Sequence, residues 1–528
     1  MTAKTNPERS SLIYASIAFV ALTLFFILSF PGNRSEADDG YHYAYLVRNS
    51  GYAYLFQPRY LFFLPLAKAL YQLFGGRIDA YWLMCAVSAA CSALTLILAF
   101  RFQERVLKLG RSASLCGCAL LLFAYGYWRY SVEAEVYAIS NLFCIGVLYL
   151  ILSKREMNPL LLALVAGLIG GLGVLVYKPN AIPLFFCFPF AFFLRRYWIA
   201  AFVYGIVGVA VVIGGYYIVY NALSPQQTYT AFLMDGASQS YGSIFVTGFV
   251  LVSNILSTGF LYGIDTVETF IRGHFPANMI VEEVFAANTN GFWNYVACIT
   301  LVITGIVLLW LIIKGLRHFT KRGFRSENWL LVLWIVIYGM VLLYLDPNSP
   351  EPWTMLLVPI VLLFNSWLVA PLFEKKLTFL PWLAVGLLAF HNLVGGYLLI
   401  RSEKSDYIVN RAAWLQKNTQ PGDLVLSLGS GSMLAYIVYS TPASICSPEQ
   451  VFDKCMQEAE KTIAAGHRVY IADDMINRDE AVKFRDPETY EKTAVFVQKY
   501  RQYLVLMNPG EDGIGKIYEL KYGGKLTE

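Results

Sequence analysis

The residues best suited to chemistry in this sequence stand in short polar stretches, each beside a long apolar run. The first, Glu36 to Asn49, reads EADDGYHYAYLVRN and follows SLIYASIAFVALTLFFILSF after the short link PGNRS. Asp38 and Asp39 are adjacent carboxylates, and His42 lies four and three residues beyond them, so on one helix it shares a face with either. A carboxylate at a helix start accepts backbone N–H bonds and faces the positive end of the dipole. That role explains one acid, with Tyr41, Tyr43, Tyr45, Tyr52 and Tyr54 as an interfacial belt. It does not explain two acids beside a histidine, a grouping able to take or orient a proton.

Other stretches carry charge of both signs. FQPRYLFF supplies Arg59. In YWRYSVEAEVY, Glu133 and Glu135 are two apart, so on a helix they point to different sides and do not form an acid/base couple. One is expected to face the bundle, where Arg129 neutralises it. VYKPNAIP puts Lys178 at the tip of a tight hairpin, where it either snorkels outward or holds a phosphate as a point charge. YLDPNSPEPW carries Asp346, Asn348 and Glu351 on a turn stiffened by prolines.

The elements that position these residues are membrane helices. Of 528 residues 57% are hydrophobic and 15% charged, with a mean hydropathy of +0.51, too apolar for a soluble globular chain. Runs of roughly 20 apolar residues recur from Ser11 to Ile400, and they do not alternate as barrel strands do. About eleven spans are expected, at 11–30, 79–100, 112–128, 135–152, 158–177, 180–194, 198–220, 292–313, 328–345, 353–373 and 378–400. The first is expected to be a retained helix, because it is long for a signal peptide and PGNRSEADDG offers no clear cleavage site.

This count puts the basic gaps (Arg101 to Arg111, Lys154/Arg155, Arg195/Arg196, Lys314 to Arg325, Lys375/Lys376) on the N-terminal, cytoplasmic side. The acidic pair, Arg59, Arg129, Glu133, Glu135, Lys178, Asp346 and Glu351 then gather on the outer rim, with outer loops 31–78 and 221–291. Ser243 to Gly263 is apolar enough to cross, but crossing would turn the later basic loops outward, so it is expected to lie as an interfacial or re-entrant helix.

Residues 1–400 form the expected membrane domain. Residues 401–528 change character: short β-like strings (DLVLSLG, HRVYIAD, YLVLMN) alternate with helix-like ones, the pattern of a small soluble α/β domain outside the membrane. GSGS at Gly429 to Ser432 lacks the full dinucleotide fingerprint and reads as a strand-to-helix turn. Seven of the nine cysteines fall in or beside apolar spans as ordinary packing. Cys446 and Cys455 lie in the tail, either as free thiols, the favoured reading, or as a disulfide. Asn33-Arg34-Ser35 matches a glycosylation sequon by pattern alone. No basic stripe marks a nucleic-acid partner.

The layout and these motifs together resemble the GT-C superfamily of integral-membrane glycosyltransferases, of the protein O-mannosyltransferase and lipid A aminoarabinose transferase type. The resemblance rests on Asp38-Asp39-Gly40-Tyr41-His42 after the first span, FQPRYLFFLPLAKALYQLFG, WRYSVEAEVY and the late DPNSPEPW turn, and covers roughly Ser11 to Ile400. It implies an inverting transferase in a bacterial inner membrane that uses a polyprenyl-phosphate-linked sugar and a protein, lipid or glycan acceptor. Asp38 then becomes the base and Asp39 the neighbouring acid, while Lys178, Arg59 and Arg129 are candidates to hold the lipid phosphate. The second acid is Asp rather than the more usual Glu, and VYKPN keeps the family's hairpin pattern only loosely. Phosphate leaves as a stable anion, so no cofactor is required, although paired acids leave a divalent cation open. On this reading the acid pair and Lys178 meet in one pocket at the outer leaflet.

Two other readings stand beside it. A transporter or flippase would show repeats and ionisable groups at mid-membrane, whereas here charges collect at one rim. A catalytically inactive relative would use the tail as a docking module.

Overall fold

The computed structural model describes residues 7–35, 39–154, 156–223, 227–234, 244–274, 281–319, 325–429, 431–449, 451–478, 482–483, 486–510, 515–524 and 526. Asp38, with Glu36 and Ala37, lies outside the described residues. The chain divides into two compact units, one of residues 1–30, 46–257 and 299–393, the other of residues 31–45, 258–298 and 394–528.

The first unit is helical. Among the described residues seven helices are long and apolar enough to cross a membrane: Ala80–Val106, Pro159–Val176, Trp198–Leu223, Phe292–Arg317, Ser326–Leu345, Pro350–Glu374 and Phe379–Arg401, of which Phe292–Arg317 begins and Phe379–Arg401 ends in residues assigned to the second unit. The other four expected spans correspond to shorter apolar helices, Ile13–Leu28, Arg111–Phe123, Tyr137–Ser153 and Lys178–Leu194. Trp198–Leu223 and Phe292–Arg317 leave rows of large apolar side chains exposed, among them Phe202, Ile206 and Ile213 on the first and Ile299, Ile306 and Leu309 on the second. Faces of this kind suit lipid rather than water. The chain is a multi-pass integral membrane protein.

Two departures from the expected spans have local causes. The 112–128 span is interrupted at Ala124, whose ψ of 127° is extended, so Arg111–Phe123 gives way to a separate helix, Tyr125–Ser131. Within 243–263 the helix is Ile244–Ile255, twelve residues or about 18 Å, too short for the roughly 30 Å hydrocarbon core. Its end is fixed by buried polar groups: Asn254 donates to Pro350 O at 3.0 Å, Asn392 Oδ1 accepts from Ser257 N at 2.8 Å, and His391 Nε2 lies 3.0 Å from Ser257 O. Since a carbonyl can only accept, Nε2 carries the proton and Nδ1 faces Thr300 Oγ1 at 3.0 Å.

Pro159–Val176 and Trp198–Leu223 pack along a seam of small residues. A Cβ at Gly167 would lie 2.8 Å from Tyr204 O, and one at Gly171 would lie 2.9 Å from Gly208 O. Close backbone approach of this kind substitutes for the hydrophobic drive that helices lack in lipid. It also sets where the end of Pro159–Val176 comes, and that end carries Tyr177 and Lys178.

The second unit holds a five-stranded mixed sheet of order β2-β1-β3-β5-β4, with β1 Leu424–Leu426, β2 Ser444–Cys446, β3 Val469–Ala472, β4 Leu504–Asn508 and β5 Ile517–Leu520. β1 runs parallel to β2 and β3, while β5 is antiparallel to both β3 and β4. Alternation along β1 sends Leu424 and Leu426 to a core with Cys455, Phe496 and Tyr500, and Val425 to a second core with Ile408, Leu415 and Tyr470. Cys446 at the end of β2 is bonded to Cys455 in helix Phe452–Ala464, which corrects the favoured free-thiol reading. The strand end and the first turn of the helix bring the two Cα atoms to 5.7 Å, within disulfide range. The Asn33 sequon is closed: the side chain is buried, donates to Ser405 O at 2.7 Å and accepts from Ser35 N at 2.9 Å.

Arg411 is fully buried in this unit and donates to Asp474 Oδ2 at 2.7 Å, while Asp474 also accepts from Ser427 Oγ at 2.7 Å and Leu428 N at 3.1 Å. Asp474→Ala removes the carboxylate that compensates a desolvated guanidinium and is expected to cost about 3–5 kcal/mol. Denaturant unfolding followed through the tail tryptophan, Trp414, checks this; a change under about 1 kcal/mol contradicts the assignment.

Candidate functional site

In the first unit the site is built around Arg59. The turn before helix Phe63–Leu73 lies beside the end of Pro159–Val176: Phe62 N donates to Leu175 O at 2.9 Å, Lys178 N donates to Arg59 O at 3.2 Å, and the buried Tyr216 hydroxyl caps Pro58 O. This backbone pairing brings Arg59 and Lys178 together from opposite ends of a long stretch of chain. Lys178 opens the short 3₁₀ turn Lys178–Asn180 and is half-buried.

Phenol rings surround the guanidinium. Arg59 Cζ lies 5.3 Å from the centroid of Tyr60, which stacks on Tyr177 at 5.8 Å with an interplanar angle of 10°. Tyr137 meets Tyr177 edge-on at 5.7 Å, and its hydroxyl donates to Glu351 Oε2 at 3.0 Å. Burial works to lower the pKa of Arg59, but the oxygens of Tyr177, Tyr60 and Tyr137, with a hydrogen bond to Tyr177, outweigh it and raise the value, so the group stays charged. Asp346 is close enough for Arg59 to act on it. Burial raises its pKa, against the opposing effects of the Ser349 N–H bond at 3.3 Å and the Arg59 charge. A planar, weakly hydrated cation held among phenols in a low dielectric is suited to an oxyanion, above all a phosphate.

The chain of rings continues to the second polar stretch. Tyr130 lies edge-on to Tyr137 at 5.9 Å, and Arg129 Cζ stands 5.5 Å from the Tyr130 centroid. Arg129 Nε pairs with Glu133 Oε1 at 3.2 Å, the neutralisation expected from the sequence. Glu133 and Glu135 are both buried, on a bend between Tyr125–Ser131 and Tyr137–Ser153 rather than on a helix, and Glu135 O accepts from Ser88 Oγ at 3.2 Å. The structure thus links Arg59 with Lys178 and Asp346 directly and with Glu351 through Tyr137, and joins Arg129 and Glu133 to them through Tyr130 and Tyr137. Tyr60, Tyr137 and Tyr177 were missed by sequence reasoning, although each adjoins or lies within two residues of a charged residue it had singled out.

The acidic stretch belongs to the second unit. Asp39 is exposed and immediately precedes helix Gly40–Asn49, as a capping residue does; its carbonyl accepts from Tyr43 N at 2.9 Å and its Oδ2 from the Tyr43 hydroxyl at 3.0 Å. His42 is exposed on the same helix. Among the described residues no three His, Cys, Asp or Glu side chains gather as metal ligands would.

No protein-family model matches the chain, and no curated protein matches it. Among solved structures it is similar to ArnT from Cupriavidus metallidurans bound to undecaprenyl phosphate, with a TM-score of 0.56 and 12% identity over 96% of this chain and 97% of that one. The same protein in the apo state aligns with a TM-score of 0.48 and 11% identity over 97% of this chain and 99% of that one. The likeness to the first extends over nearly the whole length, so the chain has the fold of ArnT, a polytopic membrane fold as the sequence leads one to expect.

Proposed function

We propose that this protein transfers a sugar from a polyprenyl-phosphate-linked donor to an acceptor hydroxyl or amine. The observation that carries the reading is the Arg59 guanidinium among Tyr60, Tyr177 and Tyr137, next to Lys178, at the end of a membrane helix. Support comes from the shared fold, since ArnT has been crystallised bound to undecaprenyl phosphate.

In this reading Asp38 accepts the acceptor proton as the acceptor atom attacks the anomeric carbon, with inversion. The bond from that carbon to the phosphate oxygen breaks, and its electron pair leaves on polyprenyl phosphate. Arg59 and Lys178 offset the charge that develops there. Asp39 and His42 orient the base, and Glu351 and Asp346 face the sugar. Arg129 holds Glu133, beside Glu135, at the edge of the substrate site. The chemistry requires no metal from the protein, and a divalent ion accompanying the phosphate is compatible with it. The Cys446–Cys455 disulfide favours an oxidising compartment for the tail, hence an outward-facing domain of residues 401–528 in an inner membrane whose basic loops face the cytoplasm.

Asp38→Asn keeps shape and removes the base, so turnover is expected to fall about 10²- to 10⁴-fold while the protein still extracts and elutes as the wild type does. Near-normal turnover of the purified variant would remove Asp38 from the role. Arg59→Gln and Lys178→Ala are each expected to weaken donor use about 10- to 10³-fold in kcat/KM. Donor titration is the check, and an unchanged curve for both variants contradicts the phosphate assignment.

A further inference from the structure

The segment that bears Asp39 is held on both sides, by the end of the last apolar helix and by residues of the tail. On its N-terminal side, Gly32 N and Asn33 N both donate to Ile400 O, at 3.0 and 2.9 Å. A Cβ at position 32 would lie 2.2 Å from Arg401 O, so only glycine fits this approach. Arg34 N then donates to the buried Asp406 Oδ2 at 3.1 Å, with the Arg34 guanidinium 3.7 Å from the same oxygen.

On its C-terminal side the anchor is aromatic. Tyr41, in the first turn of Gly40–Asn49, is 4% exposed, and its ring lies 4.8 Å from Tyr436 and 5.5 Å from Tyr439. The two partners are three residues apart on helix Gly431–Ser440 and so share a face. Tyr436 also packs against the core that Val425, Ile437 and Tyr470 form at the sheet, and Arg34 Cζ stands 5.9 Å from its centroid. One ring therefore touches both flanks of the acidic stretch and the domain interior.

We infer that the carboxy-terminal domain is a positioning platform for Asp39, with Tyr436 as the positioning residue that fixes Tyr41 and, through it, the helix start that Asp39 precedes. The inference rests on the assignment of acid chemistry to Asp38 and Asp39. A carboxylate on a short helix start samples many directions unless its supports are packed. A displacement of about 1 Å at a reacting group can cost on the order of 10²-fold in rate. The anchors on both sides remove that freedom, and they give the domain a part in the reaction without its touching substrate.

The test uses the purified full-length protein, with transfer kinetics and amide hydrogen exchange of peptides covering residues 36–45. Tyr436→Ala is expected to lower kcat by about 10- to 100-fold, leave donor KM within about twofold and raise exchange in that peptide. Tyr436→Phe, which keeps the ring packing, is expected to restore kcat to within about threefold of wild type. Should Tyr436→Ala unfold the domain, Tyr41→Leu removes the contact from the other side and is expected to give the same loss of kcat. Wild-type kcat in a folded Tyr436→Ala or Tyr41→Leu protein, or a loss confined to donor KM, overturns the platform alone. A wild-type protein that transfers no sugar overturns the transferase assignment and the platform with it.

Discussion

The candidate site in the first unit is organised around a guanidinium kept charged beside the end of an apolar helix. Burial alone would penalise Arg59, and the protein answers with oxygens rather than with one close carboxylate: Tyr177, Tyr60 and Tyr137 surround the cation, and Asp346 acts on it from the late proline turn. A full ion pair would have consumed the charge. Phenols stabilise it while leaving it able to attract an anion. Each ring reaches its place through backbone geometry, with Tyr177 at the end of a helix whose glycines allow Trp198–Leu223 to approach closely.

The second unit holds Asp39 of the acidic stretch just before helix Gly40–Asn49. Its strands β1 and β3 are buried on both faces, the end of β2 carries a disulfide, and the buried Arg411, paired with Asp474, sits beside the end of β1. Helix Gly431–Ser440 follows β1 and presents Tyr436 and Tyr439 to Tyr41. Rigidity in the sheet thus passes to residues nearly 400 positions earlier in the chain.

The sequence made the membrane class and most helix positions legible, because apolar runs of bilayer length need no tertiary information to be recognised. The polar stretches were visible for the converse reason: charge beside hydrocarbon is costly and stands out. The Arg129–Glu133 pair, four residues apart, was within reach of local spacing. Tyr60, Tyr137 and Tyr177 were not: Tyr177 stacks on Tyr60 and meets Arg59 across more than a hundred residues, Tyr137 joins them through Tyr177, and tyrosine also serves as an ordinary interfacial residue. The interruption at Ala124 was hidden as well, because an apolar run does not show where its helix breaks. The disulfide needed the turn between β2 and the next helix, which spacing alone does not supply. The tail's strands could be read, but their mixed order and the attachment of the acidic stretch to them lie in long-range pairing.

The central claim is that the cation set holds the phosphate of a lipid-linked sugar during transfer. Its most direct test is to incubate the purified wild-type protein with a panel of labelled polyprenyl-phosphate sugars and follow the label by chromatography. The account predicts time-dependent release of free polyprenyl phosphate from at least one donor, with the sugar appearing on an acceptor or as hydrolysed product. Donors that all remain intact, with protein shown to be folded and lipid-accessible, would contradict it.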